Sequence, residues 1–304
     1  MTVAAWLSTL RIRTLPAAAV PVLVGAAHAW HLAGERQFAF RWLPAVAALA
    51  SALLIQVGTN LANDYYDHKK GADTPDRAGP RRASASGLLP PTQVRNAAYV
   101  AFLLAAALGV YLVTVGGVPI LLIGLAAILS GLLYTAGPKP LGYLGLGDAF
   151  VLLFFGPVAV MGTTYLEALD TFGAVGAWMP ALFLGIEVGA LATAILAVNN
   201  LRDLPTDARA GKRTLAVRMG ERGTRIEYAL LLVLAYLLVV LSYVRHATEW
   251  RLLLPLASIP LAIPPLRRVF RPLADRRELN PALGQTGLLL LAFGVLSAVG
   301  LAMP

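Results

Sequence analysis

The sequence predicts an all-α integral membrane protein with nine transmembrane helices around a central cavity. Apolar residues make up 58% of the 304 residues and charged residues only 13%, whereas soluble domains contain roughly 45–50% and 25%. The mean hydropathy is +0.70. So few charges cannot cover a soluble globule of this length, and the apolar residues fall into separate stretches long enough to cross a bilayer.

The predicted crossings follow one another along the whole chain. A bilayer core of about 30 Å requires roughly 20 mostly apolar helical residues per crossing. Nine stretches meet this requirement, and they lie near 14–33, 43–66, 93–114, 118–136, 144–166, 173–201, 223–244, 251–266 and 281–303. The chain contains no cysteine, so disulfides, thiolate nucleophiles and sulfur-ligated metals are excluded.

The distribution of Lys and Arg gives the predicted orientation. With nine crossings, 21 of the 25 Lys and Arg residues fall on the side of the N-terminus. Cytoplasmic segments carry such an excess, so we predict a cytoplasmic N-terminus and a C-terminus outside. The net charge of +9 is explained by this orientation and does not indicate a nucleic acid partner. The predicted location is the cell inner (plasma) membrane, in contact with membrane lipids.

The chain is predicted to form a single transmembrane domain over 1–304. Two cytoplasmic loops, 67–92 and 202–222, are long and polar, whereas the other connections are short. Because four crossings separate these two loops, both return to the same side of the membrane. We therefore predict that they form one active site that faces the cytoplasm.

A polar stripe ends the second predicted crossing, and a similar one ends the sixth. Residues three and four apart share a helix face, which groups the side chains of each stripe. The first stripe consists of Asn60, Asn63, Asp64 and Asp67, with Asp73 and Asp76 further on, and the second of Asn199, Asn200 and Asp203, with Asp207 one turn later. Pro205 is predicted to end or kink the sixth helix.

The residue types of the two stripes indicate a metal and a phosphate. Asp and Asn oxygens without His or Cys suit a hard divalent cation, above all Mg²⁺. Basic residues follow both stripes and are suited to phosphate oxygens. These are Lys69, Lys70, Arg77, Arg81 and Arg82 after the first stripe, and Lys212, Arg213 and Arg218 after the second. Together they predict a diphosphate site.

Over essentially its whole length the chain resembles the UbiA superfamily of intramembrane aromatic prenyltransferases. The resemblance rests on an NDxxD-like motif at Asn63, Asp64 and Asp67, and a DxxxD-like motif at Asp203 and Asp207. Three stretches resemble the branch that acts on 1,4-dihydroxy-2-naphthoate in menaquinone biosynthesis, and they lie at 13–16, 60–80 and 199–214. One departure is that Pro138 stands four residues after Tyr134, where many members have Lys; here the lysine is Lys139.

The resemblance implies a role for individual residues. Asp64, Asp67, Asp203 and Asp207 would bind Mg²⁺ and, through it, the diphosphate of a polyprenyl diphosphate. Lys212 would contact the leaving diphosphate, and Asp73 would bind metal or orient the aromatic acceptor, with Asp76 as a second candidate for that orientation. The remaining expected substrate contacts are Asn60, Asn63, Asn200, Arg77, Arg13, Tyr134 and Lys139.

The expected reaction is Mg²⁺-dependent prenyl transfer to 1,4-dihydroxy-2-naphthoate with loss of CO₂ and diphosphate. A pocket walled by helices would keep the allylic cation dry, and aromatic faces could stabilise it. Candidates for that contact are Tyr66, Tyr134, Tyr143 and Phe154. Two alternatives are another acceptor, such as 4-hydroxybenzoate or homogentisate, and a divalent-cation transporter. A transporter, however, needs polar residues near the midplane and beyond, and here they cluster on one side.

Overall fold

The described part of the chain contains nine numbered helical segments and two short 3₁₀ helices, Ile12–Thr14 and Leu141–Leu144, in the connections. The computed structural model describes residues 3–73, 77–80, 82–169, 178–245 and 249–303. The segments are α1 (Val3–Leu10), α2 (Leu15–Arg36), α3 (Trp42–Lys69), α4 (Pro91–Leu133), α5 (Gly147–Glu167), α6 (Trp178–Arg209), α7 (Leu215–Arg245), α8 (Trp250–Phe270) and α9 (Arg276–Ala302).

The all-helical membrane architecture is confirmed. Within the described residues, eight helical stretches are long and apolar enough to cross a membrane, where nine crossings are predicted. The predicted boundaries lie within about five residues of the described helix ends except at three places. Helix α6 continues eight residues beyond 201, and α7 begins eight residues before 223. The predicted crossings 93–114 and 118–136 both fall mainly within α4, with no loop between them.

Helix α4 is folded back on itself at Gly117. A straight helix of its 43 residues would be about 65 Å long, far longer than a bilayer core. Gly117, however, has φ 66° and ψ −153°, a conformation that is readily open only to glycine. A methyl group placed on Gly131 would lie 3.4 Å from the ring of Phe102. The two halves of α4 therefore run antiparallel and side by side.

Helix α6 lies at the centre of the bundle. It packs against α7, α5, α9 and α2, and its buried residues form the largest hydrophobic core cluster together with those of α9. Helix α5 approaches it closely at a π-helical turn over Phe154–Val158. A methyl group on Gly156 would lie 2.5 Å from the carbonyl oxygen of Gly185, so only glycine permits this contact.

Helix α6 does not end at Pro205 but continues to Arg209 with Pro205 inside it, so that part of the prediction is wrong; a kink at Pro205 stays a prediction. Proline has no N–H, so the carbonyl of residue 201 loses its helical donor. Arg276 of α9 supplies one instead, because its Nη1 donates to the Leu201 oxygen at 3.3 Å. This side-chain hydrogen bond satisfies the carbonyl and allows the second polar stripe to extend along one continuous helix.

Candidate active site

One cavity of about 700 Å³ lies between α2, α3, α4, α5 and α6. Most of its wall is apolar. In the described part of the chain, its charged lining residues come from α3, from α6, from the loops that follow them and from the α1–α2 junction. These residues are Arg11, Asp67, Arg77, Arg82, Asp203, Asp207 and Lys212. The cavity therefore combines a charged end with a long apolar compartment.

Asp67 is at the centre of the charged end. Its carboxylate is almost fully buried, and it accepts hydrogen bonds from the Tyr143 hydroxyl at 2.9 Å and from Lys212 Nζ at 3.2 Å. Arg82 Nη2 lies 3.3 Å from the same carboxylate. Two cations and a hydroxyl from three different segments thus meet at one acid of the first stripe.

Asp64 lies at the margin of the first stripe and is not among the described residues that line the cavity. Its Oδ2 accepts the backbone N–H of Ala83 at 3.0 Å, and its Oδ1 accepts that of Ser84 at 2.9 Å. The carboxylate therefore fixes the turn that follows Arg82. These two hydrogen bonds leave a further acceptor site on each oxygen, so the metal contact that the resemblance implies for Asp64 stays a prediction.

We expect Asp64→Ala to lower the free energy of unfolding by about 2–4 kcal/mol, since two buried N–H groups lose a charged acceptor. Asp64→Asn retains one acceptor oxygen, so it should cost about half as much. Thermal unfolding of the detergent-solubilised variants measures both. Equal melting temperatures for wild type and Asp64→Ala would show that the turn does not depend on this carboxylate.

Arg77 joins the two stripes. Its Nη1 donates to Asp73 at 2.8 Å and its Nη2 to Asp203 at 2.9 Å. Although burial opposes it, the charges of Asp203 and Asp73 raise the pKa of Arg77, so the guanidinium remains charged. The predicted convergence of the two loops is thus formed by a direct ion pair between them.

Asp73 is buried beside two arginines. Its Oδ1 lies 3.4 Å from Arg82 Nε in addition to the Arg77 contact, while its Oδ2 is buried without a hydrogen-bond partner among the described residues. Burial raises the pKa of Asp73 to about 6, although Arg77 acts in the opposite direction. Asp73 does not line the cavity within the described residues; it positions Arg77 and Arg82. Asp76 and Arg81 lie outside the described residues.

Arg202 forms an ion pair with Asp203. Its guanidinium is bidentate to the Asp203 carboxylate, with both distances 2.8 Å. It also donates to the side-chain oxygens of Asn199 at 2.7 Å and Asn280 at 3.0 Å. Asn280, at the start of the last helix, donates in turn to the carbonyl of Ala78 at 3.0 Å.

Lys212 connects the acids of both stripes. Its Nζ lies 3.2 Å from Asp67 and 3.5 Å from Asp207, and 4.9 Å from the ring centre of Tyr143. Burial and the neighbouring Asp67 raise the pKa of the Tyr143 hydroxyl, so it stays protonated and donates. The structure thus brings the residue predicted to contact the diphosphate to the middle of the acidic cluster.

The predicted amides line the same cavity. Asn60 Nδ2 donates to the carbonyl of Leu10 at 3.1 Å and to the Thr14 hydroxyl at 3.2 Å. Asn63 Oδ1 accepts from Thr135 at 2.8 Å. Asn200 is buried at the cavity wall. Among the four candidate aromatics, Tyr134, Tyr143 and Phe154 line the cavity, whereas the Tyr66 hydroxyl pairs with that of Tyr99 at 3.1 Å.

Two predicted contacts are not brought to the cavity. Lys139 is exposed, and neither it nor the exposed Arg13 is among the described lining residues. The lysine that contacts the 134–139 loop is Lys70, whose Nζ donates to the carbonyls of Thr135 and Gly137 at 2.6 and 3.1 Å.

Sequence reasoning missed Arg11, which lines the cavity two residues before Arg13. Arg11 has φ 53° and ψ 57°, a left-handed conformation that is costly for a side chain of this size. Its Nη2 is buried and lacks a hydrogen-bond partner in the part of the chain that the structure describes. A strained backbone and an unsatisfied donor indicate a residue placed to meet a ligand.

The donor set fits a hard divalent cation. The cavity is lined at this end by carboxylates and amides, and no described lining residue is a histidine. Such oxygen ligands match Mg²⁺. Asp67 and Asp207 share one ammonium, and Asp73 and Asp203 share one guanidinium, so the acids are close enough to act on one anionic group together with the cations.

Fold and site define a polytopic membrane protein in which one cavity joins a cluster of acids and cations to a long apolar compartment. Residues 18–284 match the UbiA prenyltransferase family. The chain belongs to this family.

Curated relatives extend over nearly the whole length of the chain. It is 41% identical to the 1,4-dihydroxy-2-naphthoate octaprenyltransferase of Mycobacterium tuberculosis, over 98% of this chain and 97% of the relative. It is 40% identical to the Escherichia coli protein of the same name, over 93% and 90%. A relative from Synechocystis, 30% identical over 87% and 82%, is named 2-carboxy-1,4-naphthoquinone phytyltransferase.

Solved structures share the fold. A UbiA homolog from Archaeoglobus fulgidus bound to GPP and Mg²⁺ superimposes with a TM-score of 0.66 at 17% identity, over 98% of this chain and 97% of that chain. An apo UbiA homolog from Aeropyrum pernix gives a TM-score of 0.64 at 15% identity, over 96% of each chain.

Proposed function

We propose that the protein transfers a polyprenyl group from an allylic polyprenyl diphosphate to 1,4-dihydroxy-2-naphthoate, with loss of CO₂ and diphosphate. The observation that carries this proposal is the single cavity in which both aspartate motifs and four cations meet one long apolar compartment. The curated relatives, of 30–41% identity and with naphthoate-type acceptors in their names, support the choice of acceptor.

Asp67, Asp203 and Asp207 are the proposed Mg²⁺ ligands, with Asn60 and Asn200 beside them. When bound, Mg²⁺ would neutralise charge on the diphosphate. Asp64 stands next to this set and holds the backbone at residues 83 and 84, which places Arg82 against Asp67. We assign it to positioning the acidic cluster.

The cations stabilise the leaving group. Lys212, Arg77 and Arg82 are fixed by the acids before substrate arrives, so little reorganisation is needed as negative charge develops on the diphosphate. The allylic cation that remains faces the rings of Tyr134, Tyr143 and Phe154, which line the same space and can interact with positive charge through their π faces.

The apolar compartment protects this cation from water. Alanine, glycine, leucine and isoleucine residues make up most of the wall of this apolar compartment. The prenyl chain would lie there, and the acceptor ring would attack from the charged end, where its hydroxyls and carboxylate meet the polar residues. The carbon–oxygen bond to the diphosphate breaks first and gives the allylic cation, and the substituted ring carbon then forms the C–C bond to it. CO₂ departs from that ring carbon, and the bonding pair it leaves restores the aromatic ring.

We also propose nine membrane crossings, with the N-terminus in the cytoplasm and the C-terminus outside. Counting the two antiparallel halves of α4 as separate crossings adds one to the eight apolar stretches. That count places 21 of the 25 Lys and Arg residues on the side of the site, as expected for a cytoplasmic face. The membrane is the cell inner (plasma) membrane.

Substitutions of Arg11 and of its neighbour Arg13 test whether Arg11 contacts the donor at the charged end of the cavity. We expect Arg11→Gln to raise the KM for the prenyl diphosphate by at least about tenfold, since a guanidinium–phosphate contact contributes roughly 1.5–3 kcal/mol. Arg13→Gln should leave KM within a factor of two. Steady-state kinetics with varied donor measures both. Equal effects of the two substitutions would mean that Arg11 makes no particular contact with the donor.

The deciding experiment is prenyl transfer by the purified, detergent-solubilised protein. It receives a short allylic diphosphate and Mg²⁺, with 1,4-dihydroxy-2-naphthoate or 4-hydroxybenzoate in parallel reactions. We expect product from the naphthoate alone, loss of that product with EDTA, and recovery when Mg²⁺ is added in excess.

Other outcomes would redirect the proposal in defined ways. Product from the benzoate alone would keep prenyl transfer but replace the acceptor. Absence of diphosphate release with either acceptor, in a protein that still binds Mg²⁺, would overturn the enzymatic proposal and favour a divalent-cation transporter.

A further inference from the structure

Two glycines of α4 leave space in the apolar compartment. Gly109 and Gly124 line the cavity, and a methyl group placed on either would meet no atom within 4 Å. Other glycines are different: on Gly131 the methyl group would lie 2.5 Å from Thr59 Oγ1, and on Gly189 2.5 Å from the carbonyl oxygen of Leu152. Gly109 and Gly124 are therefore not required for close packing.

Gly109 and Gly124 lie at the same depth on facing halves of α4. Gly109 is eight residues before the reversal at Gly117 and Gly124 seven after it, which places both about 11 Å from the turn at 1.5 Å per residue. The observed neighbours Phe102 and Gly131, fifteen and fourteen residues from Gly117, support this register. The two glycines thus stand opposite each other.

This level lies well away from the charged end. Thr135, which donates to Asn63, is eleven residues after Gly124, so the two are separated by about 16 Å along the helix. Val110 and Leu125, next to the glycines, line the same cavity and are 68% and 51% exposed. Both side chains therefore border open space at this depth.

Glycine destabilises the interior of a helix, so its presence at these two positions requires an explanation. It is about 1 kcal/mol less favourable than alanine there, and two such residues face each other in α4 without a packing reason. The space that they leave is continuous with the aspartate cluster. An elongated apolar chain attached to the proposed diphosphate is the group that this space fits.

We propose that Gly109 and Gly124 determine the length of prenyl chain that the protein accepts. This inference rests on the proposed prenyl transfer. An isoprene unit adds four chain bonds of about 1.5 Å and so extends the donor by roughly 5 Å. A two-unit chain ends short of the glycine level, about 16 Å away, whereas a chain of four or more units must pass between the two glycines.

The test compares donors of two and four isoprene units, geranyl and geranylgeranyl diphosphate, on Gly109→Leu and Gly124→Leu. We expect kcat/KM for the geranyl donor to stay within about threefold of wild type. For the geranylgeranyl donor it should fall by at least about tenfold, because a leucine side chain would occupy the path of the chain. Leu103→Phe adds bulk at an exposed position of the same helix and should not change the ratio.

Gly284→Leu is the matched glycine control. A methyl group on Gly284 also meets open space, but this residue of α9 is not among the described residues that line the cavity, so its donor ratio should equal that of wild type. Unchanged ratios in both α4 variants would overturn the inference while leaving prenyl transfer intact. A wild type inactive with every donor would instead overturn the proposed function.

Stability supplies a second readout that does not depend on activity. Gly109→Ala and Gly124→Ala should raise the melting temperature or leave it unchanged, because alanine favours the helix and meets no clash. Gly189→Ala should lower it, since its methyl group would lie 2.5 Å from a backbone oxygen. A drop for Gly109→Ala and Gly124→Ala equal to that of Gly189→Ala would show that the two glycines serve packing, and would overturn the inference.

Discussion

Replacement of Asp67 by asparagine is expected to reduce kcat/KM for prenyl transfer by about a hundredfold or more. Asp67 is the acid on which Tyr143, Lys212 and Arg82 converge. Loss of one group that stabilises developing charge in a dry site typically costs two to three orders of magnitude in rate. Asparagine has nearly the same size, so the loss reports on charge and metal binding.

Asp275→Asn is the control for Asp67→Asn. Asp275 caps a short 3₁₀ turn at the start of α9 and is well exposed, and asparagine is an equally good cap. Its activity should match wild type. Titration of Mg²⁺ should show weaker binding by Asp67→Asn than by Asp275→Asn; equal Mg²⁺ affinity and equal activity in the two variants would remove Asp67 from the proposed ligand set.

Replacement of Arg202 by leucine is expected to lower the free energy of unfolding by about 3 kcal/mol, because Asp203 would lose its bidentate partner while buried. The side chains of Arg202 and Asp203 are only 3% and 4% exposed. For a chain of this size the melting temperature should fall by roughly 5 °C. Arg77 also contacts Asp203, which limits the loss.

The double variant Arg202→Leu with Asp203→Asn separates charge from packing. Removal of both charges should restore much of the melting temperature, since no unpaired buried charge remains, whereas activity should stay low because a proposed metal ligand is absent. Arg268→Leu, at an exposed position of α8, should have little effect on either. If the double variant were no more stable than Arg202→Leu, buried charge would not be the cause.

Much of the fold could be predicted because hydropathy and helix length are local properties. The stretches 43–66 and 281–303 differ from α3 and α9 by only a few residues at their boundaries. The donor that replaces the missing N–H of Pro205 could not be predicted, since Arg276 lies 75 residues further along the chain than the Leu201 carbonyl. Helix propensity carries no information about such a partner.

The acids of the site could be predicted better than its cations. Asp67, Asp203 and Asp207 lie on helix faces whose periodicity is visible in the sequence, and the structure places all three at the cavity. Arg11 and Arg13 differ by two residues, and the left-handed backbone at Arg11 decides which one points inward. No sequence motif includes Asn280. It hydrogen-bonds to Arg202 and to the carbonyl of Ala78 because α9 packs beside both loops.

The link from Ala78 through Asn280 to Arg202 has a consequence for the biosynthesis of the protein. Asn280 enters the membrane with the last helix, after both aspartate motifs have been made. Until then Arg202 lacks one of its partners and the loop at Ala78 lacks its side-chain donor. A nascent chain therefore carries an incomplete cluster of acids and cations, and its last side-chain contacts form only once translation has passed Asn280.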